Sequence, residues 1–600
     1  MILAVAAAVL VLRFAVIMVP ANGGTSAGST SPAAERGPIL DRRGRILAIQ
    51  TRLDTVTAWR PEIRDVEGTA RLLGEILERD HREITDRIAT STGFLTLQRT
   101  VTPSQSSRIT AEIRAGNLRG IRLQPDLGRS YPERESAAAV IGYTGVDNVG
   151  LAGIEYMFSE YLMPETDPMG HQVFLTLDLA IQSAADELGR ELMQQHQADM
   201  VTIVVAKADT AEILALSSQP SFDPNNFLSY SANQRRNTSI SRIYEPGSVF
   251  KVFSIASLLE LGAISPRDRF NTAGGYVADN GSFIISDLSN YGVISPAQII
   301  KFSSNVGAAY ASERADPGSF YTLLTSFGFG RPTGIDLNGE ERGLLAEPHR
   351  WSRRTQQTLA IGQEIGVTAI QMVAAATVLS NEGVLLRPQI VNRIVSNSGE
   401  ILQQNGREPV RQVVSPETAR LMLEMMRGST DRDGTAWRIQ VEGVSVAAKT
   451  GTAEVFDPVN GRYSDAHFIA STLALVPADH PELIVYVMID YPRGESFFGG
   501  RIAAPAVRTM LDFLIPYWDI PRDTDTITEH PGRVVLRPRT MPEIVDVMPD
   551  LTGVPLRSLM PLIVRDDLNV EIYGSGWVRS HSPAPGAPLE PGMTIRIELE

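Results

Sequence analysis

The chain has 600 residues, 43% of them hydrophobic and 21% charged, which predicts a folded protein of about three or four domains at roughly 100–200 residues each. Its formal net charge of −14 argues against general nucleic-acid binding, which requires a basic surface. The absence of cysteine excludes disulfides, thiolate catalysis and cysteine metal sites, and the eight histidines form no HExxH pair that would indicate a zinc peptidase.

The first segment is apolar enough to cross a membrane. Residues 1–20 carry one charge, Arg13, and at 1.5 Å per residue they match a hydrocarbon core of ~30 Å. We therefore predict a transmembrane anchor. A signal peptide is the alternative, although the segment lacks a basic start and a clear A-x-A site. A start site upstream of Met1 would explain both Arg13 and the missing basic flank, and N-terminal sequencing of the native protein tests that hypothesis.

The remaining chain separates into segments of different composition. Short strands and helices with many arginines are followed by a longer, more apolar region. That region opens with an amphipathic helix, continues as an alternating hairpin and returns to strands over residues 440–510. Helices with strands on both sides predict an α+β or three-layer α/β/α domain. The predicted segments are a flexible linker at 21–35, an α/β domain at 36–175, the large domain at 176–515, a Pro- and charge-rich linker at 516–545, and a small α+β domain at 546–600.

The sharpest local pattern is YEPGSVFK, residues 244–251. Ser248 and Lys251 are three residues apart at the start of an apolar helix, so they share a face. Burial lowers the pKa of an amine, and a neutral Lys251 could take the proton of the Ser248 hydroxyl. The helix N-terminus adds positive potential where an oxyanion would form. Only four of the chain's 55 Lys and Arg residues are lysines, so arginine supplies most of the positive charge. A lysine in a motif therefore indicates that an amine is needed there, because only an amine can lose its proton near neutral pH.

Two further motifs follow in order. Ser303 and Asn305 form S-x-N after an apolar stretch, and KTGTA begins at Lys449 near a strand end. Gly451 would let a peptide approach the strand edge closely, while Lys449 and the hydroxyls of Thr450 and Thr452 suit a terminal carboxylate. The order S-x-x-K, S-x-N, K-T-G is the set found in serine β-lactamases and penicillin-binding proteins.

Six further short segments, which we call the boxes, stand out outside these motifs. They are RGPILDRRG (36–44), RSYP (129–132), GYTG (142–145), GLAGIE (150–155), TLD (176–178) and SFDPN (221–225). Over nearly its whole length the chain thus resembles the class B, monofunctional high-molecular-weight penicillin-binding proteins. The resemblance implies an α+β multidomain fold: an N-terminal transmembrane helix, an elongated dimerisation-type pedestal over 36–175, and a serine β-lactamase/transpeptidase-like α/β/α domain over 176–515. Two departures bear on substrate fit: Glu364 stands where the family often has Gly, and Thr472-Leu473-Ala474 replaces an often-seen Phe-x-Gly.

The tail resembles a PASTA domain through MPDLTG (548–553), GSGWV (574–578) and SPAPG (582–586). We predict a helix near 556–564 and two strands near 574–580 and 593–599. On a class B protein such a tail resembles the division or spore-cortex branch more than the rod-elongation branch. PASTA domains are associated with sensing muropeptides or β-lactams, and a spacer role is the alternative.

The family resemblance implies a role for each motif residue. Ser248 would attack the carbonyl between the two terminal D-alanines of a stem peptide, and Lys251 would accept its proton. Ser303 would relay a proton to the leaving D-alanine, and Asn305 would orient Lys251 and the donor amide. The backbone N–H groups of Ser248 and Thr452 would hold the oxyanion, and Lys449, Thr450 and Thr452 would bind the terminal carboxylate beside Gly451. A second stem peptide would resolve the acyl-enzyme, β-lactams would acylate Ser248, and neither cofactor nor metal is required.

Two other functional classes stay open on the sequence alone. The motifs do not separate transfer from hydrolysis by a D,D-carboxypeptidase or β-lactamase. A β-lactam sensor or an inactive scaffold is the other class. From the resemblance we expect a single-pass protein of the cytoplasmic membrane with an extracytoplasmic catalytic domain. We also expect a role in septal cell-wall synthesis beside a SEDS-type glycosyltransferase and divisome proteins, and no nucleic-acid partner.

Overall fold

The computed structural model describes residues 35–145, 148–165, 169–278, 283–457, 460–522, 546–563, 565, 567–574 and 576–600. Within these ranges no helix is both long and apolar enough to span a membrane. The predicted anchor at 1–20, nearly all of the linker at 21–35 and most of the linker at 516–545 lie outside the described residues. The chain divides into two compact units, Met1–Asp523 and Thr524–Glu600.

The strands of the first unit are β1 Ile39–Leu40, β2 Ile46–Trp59, β3 Phe94–Val101, β4 Ile121–Ser130, β5 Gln172–Leu175, β6 Met200–Lys207, β7 Ile213–Gln219, β8 Phe270–Asn271, β9 Tyr276–Ala278, β10 Phe283–Ile285, β11 Val293–Ile294, β12 Leu344–Leu345, β13 Ile365–Gly366, β14 Val384–Leu386, β15 Val391–Val395, β16 Ile401–Gln404, β17 Pro409–Gln412, β18 Ala447–Asp457, β19 Arg462–Val476 and β20 Leu483–Asp490.

Its helices are α1 Val66–Leu77, α2 His81–Thr90, α3 Pro103–Arg114, α4 Ala138–Ile141, α5 Gly153–Met157, α6 Ser159–Leu162, α7 Leu179–His196, α8 Thr238–Ser241, α9 Lys251–Glu260, α10 Pro296–Phe302, α11 Asn305–Ser312, α12 Pro317–Ser326, α13 Thr355–Ala360, α14 Ala369–Ser380, α15 Pro416–Gly428 and α16 Gly499–Tyr517.

The N-terminal part of this unit, the pedestal, is built on a seven-stranded sheet. Its order is β16-β15-β5-β1-β2-β3, with β4 also paired to β2. Strands β15 and β16 come from the segment that the sequence assigns to the large domain, and β15 pairs with β5 antiparallel. The pedestal and the catalytic part of the chain therefore share a sheet.

A buried ionic triad joins three of the boxes, at 36–44, 129–132 and 150–155. The two oxygens of Glu155 accept from Arg36 Nε and Arg129 Nε, each at 2.6 Å. All three side chains are shielded from solvent, with at most 1% exposed. Opposite charges that are buried together with both carboxylate oxygens satisfied can hold segments distant in sequence in one arrangement. The boxes therefore have a structural role in the pedestal.

The catalytic part is layered around a five-stranded antiparallel sheet of order β18-β19-β20-β6-β7. Alternate residues of β6 enter opposite cores. Ile203 belongs to the core that includes α7 and α16, whereas Val204 belongs to the core that includes α9 and α14. This alternation is the period of a strand buried on both faces. The result is the three-layer α/β/α arrangement that the sequence predicts.

The second unit is a small α+β domain with its own core. Its strands are β21 Asn569–Tyr573, β22 Val578–Ser582 and β23 Thr594–Leu599, and its helix is α17 Met560–Ile563. Strand β23 is central, parallel to β21 and antiparallel to β22. Leu551, Leu562 and Ile597 are buried in this core. The sequence predicted the helix and two of the strands but not β21, whose short N-V-E-I-Y alternation follows the helix closely.

Candidate active site

The serine motif lies where a turn meets a buried helix. Ser248 belongs to a 3-10 turn, Gly247–Phe250, which we call the serine turn and which continues directly into α9. The α-helix thus begins at Lys251 rather than at Ser248. Gly247 has φ +56°, and a Cβ there would lie 2.8 Å from the carbonyl oxygen of Thr452. Only glycine lets this turn adopt a left-handed conformation while packing against β18.

Lys251 is the centre of the site. Its Nζ lies 2.7 Å from Ser248 Oγ, 2.6 Å from Asn305 Oδ1 and 3.1 Å from the carbonyl oxygen of Ser303. The side chain is fully buried. Burial lowers the pKa of Lys251 to about 7, against the opposing effect of the Asp287 charge. A substantial fraction of the amine is therefore neutral near pH 7 and can accept a proton from the adjacent hydroxyl.

Ser303 joins the two lysines of the site. It caps the C-terminus of α10 with φ +61° and ψ +37°, a left-handed conformation that costs a non-glycine residue about 1 kcal/mol or more. In this position Ser303 Oγ accepts from Lys449 Nζ at 2.8 Å and lies 3.5 Å from Lys251 Nζ. A hydroxyl placed between two amines can pass a proton from one to the other.

Lys449 lies on β18 and is also fully buried. Its Nζ donates to the carbonyl oxygen of Thr450 at 2.8 Å. Burial, and then the neighbouring Lys251, hold the pKa of Lys449 well below its usual range. Because two cations are costly in one dry site, a carboxylate arriving there would favour the charged form of Lys449.

The rest of the third motif forms the outer edge of the sheet. Among the strands of the described residues, β18 is the terminal strand of the sheet and pairs with β19. A Cβ on Gly451 would lie 2.7 Å from Val249 Cγ2, so glycine permits the close packing of β18 on the serine turn. Thr452 Oγ1 accepts from Gly499 N at 3.0 Å, which leaves its hydroxyl hydrogen available to a ligand. Thr450 is buried beside it.

The structure thus brings the predicted site residues together, Thr450 through its carbonyl oxygen, which accepts from Lys449 Nζ. Hydrogen bonds connect Ser248, Lys251, Ser303, Asn305 and Lys449, and β18 packs Gly451 and Thr452 against the serine turn. The distance that matters most, from nucleophile to amine, is a hydrogen-bonding distance.

The two departures noted in the sequence occupy different places. Glu364 has φ +56°, which explains the glycine often found there. Its backbone N–H donates to Glu245 Oε1 at 2.9 Å, just before the serine turn. The segment 472–474 lies in β19 opposite residues 448–450, and Thr472, Leu473 and Ala474 are buried there within the sheet.

Sequence reasoning missed one residue beside the motifs, Asp287. It lies in the loop between β10 and β11, and its carboxylate contacts the S-x-N turn at Ser304 and Asn305. An acid in a polar loop carries no motif signal, so only the fold could reveal it.

Comparisons with known proteins agree with this geometry. Residues 201–512 match the family model of the penicillin-binding protein transpeptidase domain, and residues 31–167 match that of the penicillin-binding protein dimerisation domain. The chain is 29% identical over 597 residues to stage V sporulation protein D of Bacillus subtilis, covering 94% of this chain and 90% of that protein. It is 30% identical over 505 residues to the probable peptidoglycan D,D-transpeptidase PenA of Neisseria meningitidis, covering 80% of this chain and 84% of that protein.

A solved structure shows the same fold. Penicillin binding protein 3 of Mycobacterium tuberculosis, crystallised with aztreonam, superposes with a TM-score of 0.65 at 26% identity, covering 82% of this chain and 97% of that one.

A buried lysine amine beside a serine at a strand edge defines a serine acyl-transfer enzyme. The family matches agree with that class: the chain belongs to the penicillin-binding proteins with a dimerisation and a transpeptidase domain. It is a serine-type peptidoglycan D,D-transpeptidase.

Proposed function

We propose that Ser248 forms the acyl-enzyme of peptidoglycan cross-linking and that Lys251 is its general base. One observation carries the assignment: a fully buried amine lies 2.7 Å from the serine hydroxyl. An amine with a pKa of about 7 is matched to proton transfer near neutral pH.

In acylation, Ser248 Oγ attacks the carbonyl carbon between the two terminal D-alanines while its proton passes to Lys251 Nζ. The backbone N–H groups of Ser248 and Thr452 stabilise the oxyanion of the tetrahedral intermediate. The C–N bond then breaks, and Ser303, which lies between Lys251 and Lys449, gives its hydroxyl proton to the leaving D-alanine amine. Lys251 reprotonates Ser303 and so returns to its neutral form. Lys449, Thr450 and Thr452 hold the terminal carboxylate.

In deacylation, the side-chain amine of a second stem peptide attacks the ester carbonyl. Its surplus proton passes to Lys251, and the bond to Ser248 Oγ breaks as that oxygen regains a proton. The product is an amide cross-link with the enzyme restored. Asn305 Oδ1, 2.6 Å from Lys251 Nζ, keeps the amine in position through both half-reactions.

We extend the same site to β-lactams, whose ring carbonyl would occupy the position of the scissile amide and acylate Ser248. Support comes from the M. tuberculosis neighbours, which were crystallised with aztreonam and with ampicillin. Incubation with a fluorescent penicillin tests this. Label on the wild type that is lost in Ser248→Ala is expected, and label retained by that variant contradicts the assignment of the nucleophile.

Transfer and hydrolysis are separated by product analysis. With a donor thioester and excess D-amino acid acceptor, we expect transfer product to dominate and penicillin turnover to be slow. Fast penicillin hydrolysis would favour the β-lactamase alternative. Full rescue of cell-wall synthesis by Ser248→Ala in cells depleted of the wild type would favour a scaffold.

We further propose that residues 1–20 anchor the protein in the cytoplasmic membrane, with the catalytic domain outside. There it would cross-link septal peptidoglycan, beside a SEDS-type glycosyltransferase and divisome proteins. The sporulation protein aligned over 94% of the chain supports the division or spore branch. A fluorescent fusion enriched along the side wall rather than at the septum would overturn the septal role. Carbonate extraction of membranes tests the anchor, and release of the chain would contradict it.

For the small unit we propose a PASTA domain. Its support is the central β23 flanked by one parallel and one antiparallel strand, together with a short helix and a separate core. Deleting residues 546–600 separates a ligand-sensing role from a spacer role: a sensor's loss changes the response to added muropeptides, whereas a spacer's loss does not.

A further inference from the structure

The S-x-N turn is held from outside the three motifs. The Asp287 carboxylate accepts from Ser304 Oγ at 2.6 Å, from Asn305 N at 2.5 Å and from Val306 N at 3.1 Å. Ser304 Oγ in turn accepts from Gly307 N at 2.9 Å. One carboxylate therefore satisfies the first N–H groups of α11, which have no partner within the helix.

The turn needs such support because Ser303 is strained. Its left-handed φ of +61° is a conformation that a serine keeps only where its surroundings enforce it. Ser303 is joined on one side to α10 and on the other to Ser304, whose hydroxyl Asp287 fixes. If the turn relaxed, both the Ser303 hydroxyl and the Asn305 amide would leave Lys251.

We propose that Asp287 is a positioning residue of the transpeptidase reaction: it clamps the 303–305 turn so that Asn305 and Ser303 meet the amine of Lys251. The inference rests on the proposed roles of Ser248 and Lys251. Asp287 would not touch the substrate. It would act through Asn305 Oδ1, 2.6 Å from Lys251 Nζ, and through Ser303.

Asp287 also adds charge to the site. Among the described residues, two charged groups interact electrostatically with Lys251. They are Asp287, which raises the pKa of Lys251, and Lys449, whose own pKa Lys251 lowers. The negative charge of Asp287 raises the pKa of Lys251 against the effect of burial. Removing that charge lowers the pKa of Lys251 further. The acid limb, which is the low-pH part of the rate profile where acylation slows because Lys251 is protonated, therefore moves to lower pH.

The test compares Asp287→Asn and Asp287→Ala with the wild type. The second-order rate of labelling by fluorescent penicillin is measured on the full chain from about pH 5.5 to about pH 9, a range that brackets the titration of a buried amine. Asp287→Ala loses the clamp and the charge, and we expect acylation to fall by about 10–100-fold. Asp287→Asn keeps an oxygen that can accept from Asn305 N and Val306 N, so a smaller loss of rate is expected. Its acid limb should lie at a lower pH than that of the wild type.

Asp316→Ala is the matched control. Asp316 caps α12 with the same kind of bond, accepting from Ser319 N at 2.9 Å, and it makes no hydrogen bond to the site residues among the bonds described. Its variant should keep the wild-type acylation rate and pH profile. Thermal unfolding of every variant gives the folded fraction to which rates are normalised.

Wild-type rates and an unshifted acid limb in both Asp287 variants would overturn the inference. So would a loss of rate that disappears once the folded fraction is taken into account. A failure of the proposed function is seen separately, since the wild type itself would then not be labelled, or Ser248→Ala would retain the label.

Discussion

Lys449 Nζ donates a hydrogen bond of 2.8 Å to Ser303 Oγ, although 146 positions separate the two residues in the chain. The bond joins the K-T-G strand to the S-x-N turn and makes a serine hydroxyl the bridge between two buried amines. Because Ser303 reaches this position in a left-handed conformation, its backbone and its hydroxyl make separate contributions that substitution can divide.

Ser303→Gly and Ser303→Ala should agree in activity and differ in stability. Both remove the hydroxyl that relays the proton, so both should slow acylation by about 10²–10⁴-fold, the usual contribution of general acid–base catalysis. Glycine adopts the φ of +61° without the clash of a Cβ, so Ser303→Gly should be more stable than Ser303→Ala by about 1 kcal/mol. Urea unfolding and penicillin labelling measure the two effects. Equal stability of the two variants would show that the left-handed turn stores no strain.

The acylation rate should follow the protonation of Lys251. Burial lowers the pKa of this amine to about 7, and only the neutral amine accepts the serine proton. The rate of penicillin labelling should therefore fall by about tenfold per pH unit below that value and level off above it. An acid limb centred near about pH 4 to 5, the ordinary range of a carboxyl group, would instead indicate a carboxylate as the base.

Stability should depend on pH through the same group. The folded-state pKa of Lys251, about 7, lies below its ordinary value of 10.5, so between these values the unfolded chain binds more protons and stability rises with pH. Lys251→Met lacks this titration. As the pH rises from about 7 to about 10, the free energy of unfolding should therefore increase by more in the wild type than in the variant. A difference that stays constant across that range would show that Lys251 titrates alike in both states.

The pedestal triad should be important for folding rather than for chemistry. Glu155→Gln leaves Arg36 and Arg129 buried beside a neutral amide, which should cost about 3–5 kcal/mol in the free energy of unfolding. The control is Glu67→Gln, which removes an exposed i,i+4 pair with Arg71 and should cost about 0.5 kcal/mol or less. Folded Glu155→Gln protein should still be labelled at the wild-type rate per active site, and a selective loss of labelling would give the triad a direct part in catalysis.

The sequence predicted the site more completely than it predicted the fold. Motif spacing placed Ser248, Lys251 and Lys449 because side chains that do chemistry are restricted in type and order. Strand pairing is less visible: nothing local indicates that β15 would join the pedestal sheet, because that pairing joins residues as distant in the chain as Leu175 and Val391. The sequence did not predict a role for Asp287 for a related reason. Its carboxylate accepts from the backbone N–H groups of Asn305 and Val306, which come near it only in the folded turn.

Gly362 packs against the serine turn at Gly247. Gly362 has φ +85°, and a Cβ there would lie 2.0 Å from the carbonyl oxygen of Gly247. Gly116 has a similar φ of +81°, but a Cβ there would meet no atom of the described residues within 4 Å. Gly116→Ala should therefore show only the cost of a left-handed alanine, about 1–2 kcal/mol, with normal labelling. Gly362→Ala carries the same backbone cost and must also displace the turn that presents Ser248. We expect its labelling rate per folded molecule to fall by about tenfold or more, because small displacements of a nucleophile are costly. Equal labelling of the two variants would mean that the serine turn tolerates movement, and that the packing of Gly362 on Gly247 does not position the nucleophile.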